Sequence, residues 1–301
     1  MTDLLLIVNP NSGKNGYRDC LSDVLLTLHK CGFRVTVMFT DAHGDPTRIA
    51  ESFGSQYKRV VCMGGDGTLG ETVTGIMHLP PEQRPELGYI PMGTTNDSAT
   101  TLGLSRDPVQ AAYTAGTGRT IPLDIGLLND RDYFCYVAAY GAFTEVSYET
   151  PQDQKNALGR LAYILDGMTR LPNLTHRWCR VEYDGGALEG DFIFGAVTNS
   201  RSVAGLIKLK DSAGVSLSDG LFEVILIRTP ESLLQLGPII SDILANKFST
   251  EYVMLLHSKK VRFIFREPVA WTLDGEDGGL QKEVLCENLP HSVQVIVNDN
   301  F

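Results

Sequence analysis

Three short apolar runs, LLLIV at residues 4–8, RVVCM at 59–63 and LGYIP at 87–91, and one alternating β-branched run, RVTVMF at 34–39, alternate with segments of helical spacing. Runs this short, bounded by turn residues, read as buried strands. Residues 17–31 put Leu21, Val24, Leu25 and Leu28 at helical spacing, and Gly32 supplies a stop. Asp45-Pro46 reads as an N-cap with proline at the first helical position. Further helices are expected at about 68–77, 95–102 and 107–115. Such alternation folds into an open, mainly parallel sheet with helices on both faces. This assigns residues 1–122 to one α/β domain.

Near Ile121 the rhythm changes to short β-branched and aromatic strands, such as DYFCYVAAYG, GLFEVILIRT and KKVRFIFRE. Turn chemistry separates them at Asn129-Asp130, Asp184-Gly185-Gly186 and Asp277-Gly278-Gly279. Helical interludes are expected at about 153–170 and 231–246. Residues 123–301 therefore read as a mainly-β domain, a sandwich or a partly closed barrel, whose last strand or tail returns to the first domain. With no low-complexity linker, the two domains are expected to abut, with the active site in the cleft between them.

The formal net charge of −10 argues against nucleic acid as a partner, and against purely electrostatic adhesion to anionic lipid. Six scattered cysteines without a CxxC fit neither zinc binding nor a disulfide framework, so reduced thiols in the cytoplasm are expected. The N-terminal apolar run is too short for a signal peptide, and no stretch approaches the ~18 apolar residues of a spanning helix.

Three polar loops follow predicted strands. NPNSGK starts at Asn9 after the first strand, GGDGT at Gly64 after the third, and GTTND at Gly93 after the fourth. All end on the carboxyl rim of the sheet, where ligands bind. Taken alone, GGDGT is equally a tight turn with Asp66 capping the next helix, and each of the others is also a turn. Their shared rim favours an anion site at a helix N-terminus, and a carboxylate inside it calls for a metal-bound phosphate.

NPNSGK, GGDGT, GTTND and a distant LDGE together resemble the catalytic-domain family of diacylglycerol kinases, especially its soluble bacterial members, over essentially the whole chain. The resemblance implies an ATP- and Mg²⁺-dependent lipid kinase in the cytoplasm, contacting the membrane peripherally; oligomeric state stays open, a homodimer being one option. It implies ATP contacts at Asn9, Ser12, Lys14, Thr40, Thr94 and the run Gly64, Gly65, Asp66, Gly67, Thr68, Leu69 and Gly70. Asp66 is implied to hold the Mg²⁺–phosphate assembly through water. Glu276 is implied to be the base, with Asp274 and Asp124 in the same charge network, and Ser216, Asp219 and Leu221 to hold a structural Mg²⁺. Simpler alternatives stand beside these: a surface lysine at Lys14, a β-turn at Asp219-Gly220, and a hairpin loop at 274–279. In an extended strand, Asp274 and Glu276 would share a face.

Thr95 and Ser98 depart from common family residues, which bears on substrate choice. Candidate membrane contacts are residues 158–171, with nearby Lys155, Arg160 and Arg170, and residues 257–262; both are also readable as ordinary solvated charge. Two rival functions share the glycine-rich loop: a soluble kinase of the NAD-kinase type, and a silent nucleotide-binding regulator.

Overall fold

The computed structural model describes residues 1–13, 16–94, 96–141, 177–200, 202–203, 207–209, 216–230, 232–248 and 250–300. Lys14, Thr95, Lys155, Arg160, Arg170 and the expected helix at 153–170 lie outside them. The chain divides into two compact units, residues 1–125 with 289–301 and residues 126–288. The sequence pattern suggests a boundary at 122/123.

In the first unit, β1 (Thr2–Val8), β2 (Phe33–Phe39), β3 (Arg59–Gly64) and β4 (Glu86–Pro91) are all parallel neighbours, in the order β2-β1-β3-β4. Val295, near the end of the chain, pairs in parallel with Leu87 on the far side of β4. Helices α1 (Tyr17–Lys30), α2 (Asp45–Phe53), α3 (Asp66–Met77), α4 (Asp97–Thr101) and α5 (Pro108–Thr117) fill the connections.

Leu4, Leu6 and Val8 pack with Val24 and Leu28 of α1 and with Ala111, Ala112 and Ala115 of α5. Side chains alternate along a strand, so Leu5 and Ile7 point to the opposite face. They too are fully buried. A strand covered on both sides has no polar positions to alternate, which is why residues 4–8 are continuously apolar.

Two helix starts differ from the pattern. Gly44, with φ 83°, occupies the N-cap of α2, and Asp45 is its first residue. The Asp45 carboxylate instead accepts the backbone N–H groups of Asp41 and Ala42, turning the preceding loop. Helix α3 begins at Asp66, two residues earlier than the apolar spacing suggests, because glycines carry no periodic signal.

The second unit starts within β5 (Arg119–Leu128) and includes β6 (Asp132–Phe134), β7 (Val137–Gly141), β8 (Trp178–Tyr183) and β9 (Gly186–Thr198). It continues through the short pair β10 (Ser202–Val203) and β11 (Ile207–Lys208), then β12 (Phe222–Arg228), α6 (Leu236–Leu244), β13 (Val253–Ser258), β14 (Lys260–Leu273) and most of β15 (Glu276–Val297).

Strand β14 pairs with β7 through Trp271–Leu273 and with β8 through Val261–Phe265, and β9 pairs with both β7 and β8. These four strands therefore close a ring. That is the partly closed barrel of the two architectures the sequence allows, not a sandwich of separate sheets. An irregularity between Ile264 and Val269 gives β14 the bend that lets one strand serve both partners. Closure leaves these strands without an open edge. Tyr140, Phe263, Phe265 and Trp271 pack edge-on and tilted inside its core.

Candidate functional site

A parallel sheet ordered β2-β1-β3-β4 reverses direction between β1 and β3, and the loops leaving those two strands diverge to open a crevice. The loops in question are Asn9–Gly13 and Gly64–Asp66. Asn9 Nδ2 donates to Thr68 Oγ1 at 2.9 Å, and the Gly65 N–H donates to Ser12 Oγ at 3.2 Å. Gly13 takes φ 56°, and a Cβ there would lie 1.9 Å from the Met92 carbonyl oxygen. No other residue fits that turn.

The first intrahelical bond of α3 runs from Leu69 N–H to the Gly65 carbonyl. The N–H groups of Asp66, Gly67 and Thr68 precede it, so they have no acceptor within the helix, the arrangement that suits an anion. The third loop closes against this one. A Cβ on Gly93 would come within 2.9 Å of Gly65 Cα, so the two backbones touch. Asn96 sits in the left-handed region at φ 51°, and its side chain bonds both the N–H and the carbonyl of Gly93. Asn tolerates that conformation better than other non-glycine residues.

The Asp66 carboxylate spans the two loops. Its Oδ2 and Oδ1 accept the N–H groups of Asp97 and Ser98 at 3.0 and 3.1 Å, capping α4, not its own helix. Each oxygen keeps a further lone pair.

The structure thus brings Asn9, Ser12, Gly64, Gly65, Asp66, Gly67 and Thr68 together at one rim. Thr94 is exposed on the adjoining loop. Thr40 follows β2 on the same rim and is buried, its N–H donating to the Val8 carbonyl. The Leu69 side chain is in the core, and Gly70 lies within α3, so neither presents a side chain to the crevice. Asp124 is fully buried in β5, where its Oδ1 accepts the His291 N–H at 2.8 Å.

In the second unit, LDGE forms a two-residue hairpin. Asp274 and Gly275 take φ 50° and 93°, and Leu273 pairs with Glu276. Two positive φ values match the twist of the flanking strands. The turn therefore lies at 274–275, not at Asp277-Gly278-Gly279, and Asp274 and Glu276 do not share an extended face.

The Asp274 carboxylate accepts the N–H groups of Cys135, Tyr136 and Val137, each at 2.8 Å. Burial pushes its carboxyl above the usual range, against the downward pull of these amides. The Glu276 side chain is exposed and makes no hydrogen bond to any described residue. Asp274→Ala leaves three buried donors without an acceptor, at about 1–3 kcal/mol for each. Chemical denaturation is expected to show a loss of several kcal/mol; a loss under about 0.5 kcal/mol contradicts the anchoring role.

Asp219 is exposed, and its Oδ1 accepts the Leu221 N–H at 3.0 Å in an Asx turn, with Gly220 at φ 76°. Among the described residues no three His, Cys, Asp or Glu side chains cluster as a metal site. In the basic segment 257–262, Lys260 pairs with Glu287 at 3.0 Å and Arg262 pairs with Glu283. Most of that charge is therefore neutralised across β14 and β15. Among the described residues no helix is long and apolar enough to cross a membrane.

The family model described as "Diacylglycerol kinase catalytic domain" matches residues 3–128. A diacylglycerol kinase of Bacillus subtilis (strain 168) is 34% identical over 277 residues, covering 91% of this chain and 90% of its own. One from Staphylococcus saprophyticus is 37% identical over 279 residues, covering 91% and 88%. A crystal structure of a candidate diacylglycerol kinase from Bacillus anthracis superposes with TM-score 0.82 at 25% identity, over 99% of this chain and 96% of that one. The chain belongs to the diacylglycerol kinase family.

Proposed function

We propose that this protein transfers the γ-phosphate of ATP, in the presence of Mg²⁺, to the hydroxyl of diacylglycerol or a similar lipid. It works in the cytoplasm, in peripheral contact with a membrane. The observation that carries this reading is the triplet of N–H groups at Asp66–Thr68, with a carboxylate beside it, at the point where the sheet order reverses.

Asn9 and Ser12 keep the glycine loop open for phosphate oxygens, and the amides of residues 66–68 orient and neutralise them. Asp66 offers hard oxygen donors with free lone pairs, which suits a Mg²⁺ shared with substrate phosphates. Magnesium, when bound, offsets charge on the transferring group. Glu276 takes the lipid hydroxyl's proton as that oxygen bonds to phosphorus and ADP leaves. Asp274 acts through Glu276: its grip on three amides fixes the hairpin tip. Asp124, buried in β5, fixes the chain at His291 by accepting its N–H.

Offering diacylglycerol, a sphingoid base and NAD as acceptors, with γ-labelled ATP, tests the substrate class. Label in the glycerolipid is expected; label in NAD alone contradicts it.

We further propose that Ser216, Asp219 and Leu221 hold a structural Mg²⁺, using the Asp219 carboxylate and the backbone carbonyls of Ser216 and Leu221. Magnesium is then expected to raise the Tm of the wild type and not of Asp219→Ala. Equal melting of both proteins at every magnesium concentration leaves only the Asx turn.

A further inference from the structure

Helix α3 carries a second carboxylate that the proposed reaction does not use. Glu71 lies five residues after Asp66, and its side chain is mostly buried, at 17% exposure. Its Oε2 accepts the N–H of Gly44 at 3.0 Å, and its Oε1 meets His43 Nδ1. Its own carbonyl oxygen accepts the Thr47 hydroxyl at 2.9 Å. One residue of the helix thus fastens the segment after β2 at three points. Asp45 completes the loop by accepting the N–H groups of Asp41 and Ala42 and pairing with Arg48 at 2.8 Å.

The position of this loop gives the latch a purpose. The order β2-β1-β3 puts the end of β2 two strand spacings from the end of β3, about 10 Å along the rim. A nucleotide with its phosphates at the α3 N-terminus must extend its nucleoside along that rim, toward β2 or toward β4. On the β4 side Gly93 contacts Gly65, and Asp97 and Ser98 are bonded to Asp66. On the β2 side lie Thr40, Asp41 and Ala42, held at the far end by Glu71.

We propose that Glu71 is a positioning residue for the nucleoside end of the triphosphate substrate, holding the 40–44 loop against the helix whose N-terminus takes the phosphates. The inference rests on the ATP-dependent reading of the site. In this role Glu71 acts through the 40–44 loop and not on the transferring phosphate, so its loss weakens ATP binding equally in the ground and transition states. KM for ATP then rises while kcat at saturating ATP holds.

The test compares wild type, Glu71→Ala, Glu71→Gln and His43→Ala by steady-state kinetics, melting and calorimetric titration with ATP. Glu71→Ala is expected to raise both Kd and KM for ATP roughly ten-fold, the scale of one lost charge-assisted bond. Its lipid KM and kcat are expected to stay within about two-fold. Glu71→Gln is expected to restore most of the affinity, because its amide oxygen still accepts the Gly44 N–H. His43→Ala is expected to fall between the two.

An unchanged ATP Kd in Glu71→Ala overturns the proposal while leaving the functional reading intact. Equal rises in ATP and lipid KM, with a lowered Tm that Gln does not rescue, also overturn it, in favour of a purely structural role. A wild type that binds no ATP overturns the functional reading, and this inference with it.

Discussion

Glu276→Gln is expected to lower kcat by roughly 10²–10⁴-fold, the usual worth of a positioned general base. The substitution keeps the size and hydrogen-bonding reach of the side chain and removes only its capacity to take a proton. The Glu276 side chain makes no hydrogen bond to a described residue, so little native structure depends on its charge. It stands at the foot of a hairpin whose turn is fixed by Asp274, so the variant should keep the same backbone. ATP affinity is expected to stay unchanged, because the phosphate loops belong to the other unit. Measuring kcat and ATP Kd on one preparation separates a base from an exposed hairpin residue. The exposed residue predicts normal kcat and a stability change within about 0.5 kcal/mol.

Asp66→Asn is expected to lower kcat by roughly 10²-fold or more, the scale on which electrostatic groups at a transferring phosphoryl act. Asn is the informative replacement. One amide oxygen can still accept an N–H from α4, whereas Ala leaves the Asp97 and Ser98 amides uncapped and costs about 0.5–2 kcal/mol. If Asn keeps the melting temperature near that of wild type and loses activity, the carboxylate's charge serves the phosphate. If Asn retains activity within a few-fold of wild type, Asp66 only caps α4.

The first-unit sheet was legible because residues 4–8 and 59–63 are buried on both faces, and continuous apolar runs with turn residues between them admit few other folds. The three rim loops were legible for the same reason: strand ends fix where the following residues emerge. What Asp66 bonds to was not. Its two donors lie 31 and 32 residues further on, and no local pattern reports a cap reached across two loops.

Asp274 is a similar case, since the amides it grips are 137–139 residues upstream. The sequence offers two Asp-Gly turns there, at 274–275 and 277–278, and only the pairing of Leu273 with Glu276 selects the first. Ring closure in the second unit depends on a bend inside β14, where the sequence reads as two strands, KKVRFIFRE and VAWTLDGE, with Pro268 between them. Nothing in the sequence singles out Glu71; its partner, the Gly44 N–H, comes within reach only through the folded β2–α2 loop.

Transfer of a terminal phosphate from ATP to a lipid hydroxyl yields two products in equal amount, and counting both is decisive. Purified protein is given γ-labelled ATP, Mg²⁺ and diacylglycerol in mixed micelles, and ADP and labelled organic-phase lipid are measured together. Equal moles of ADP and phosphorylated lipid are expected, with both falling to background when the lipid is omitted. ADP formed without labelled lipid, or label appearing only in the aqueous phase, contradicts it.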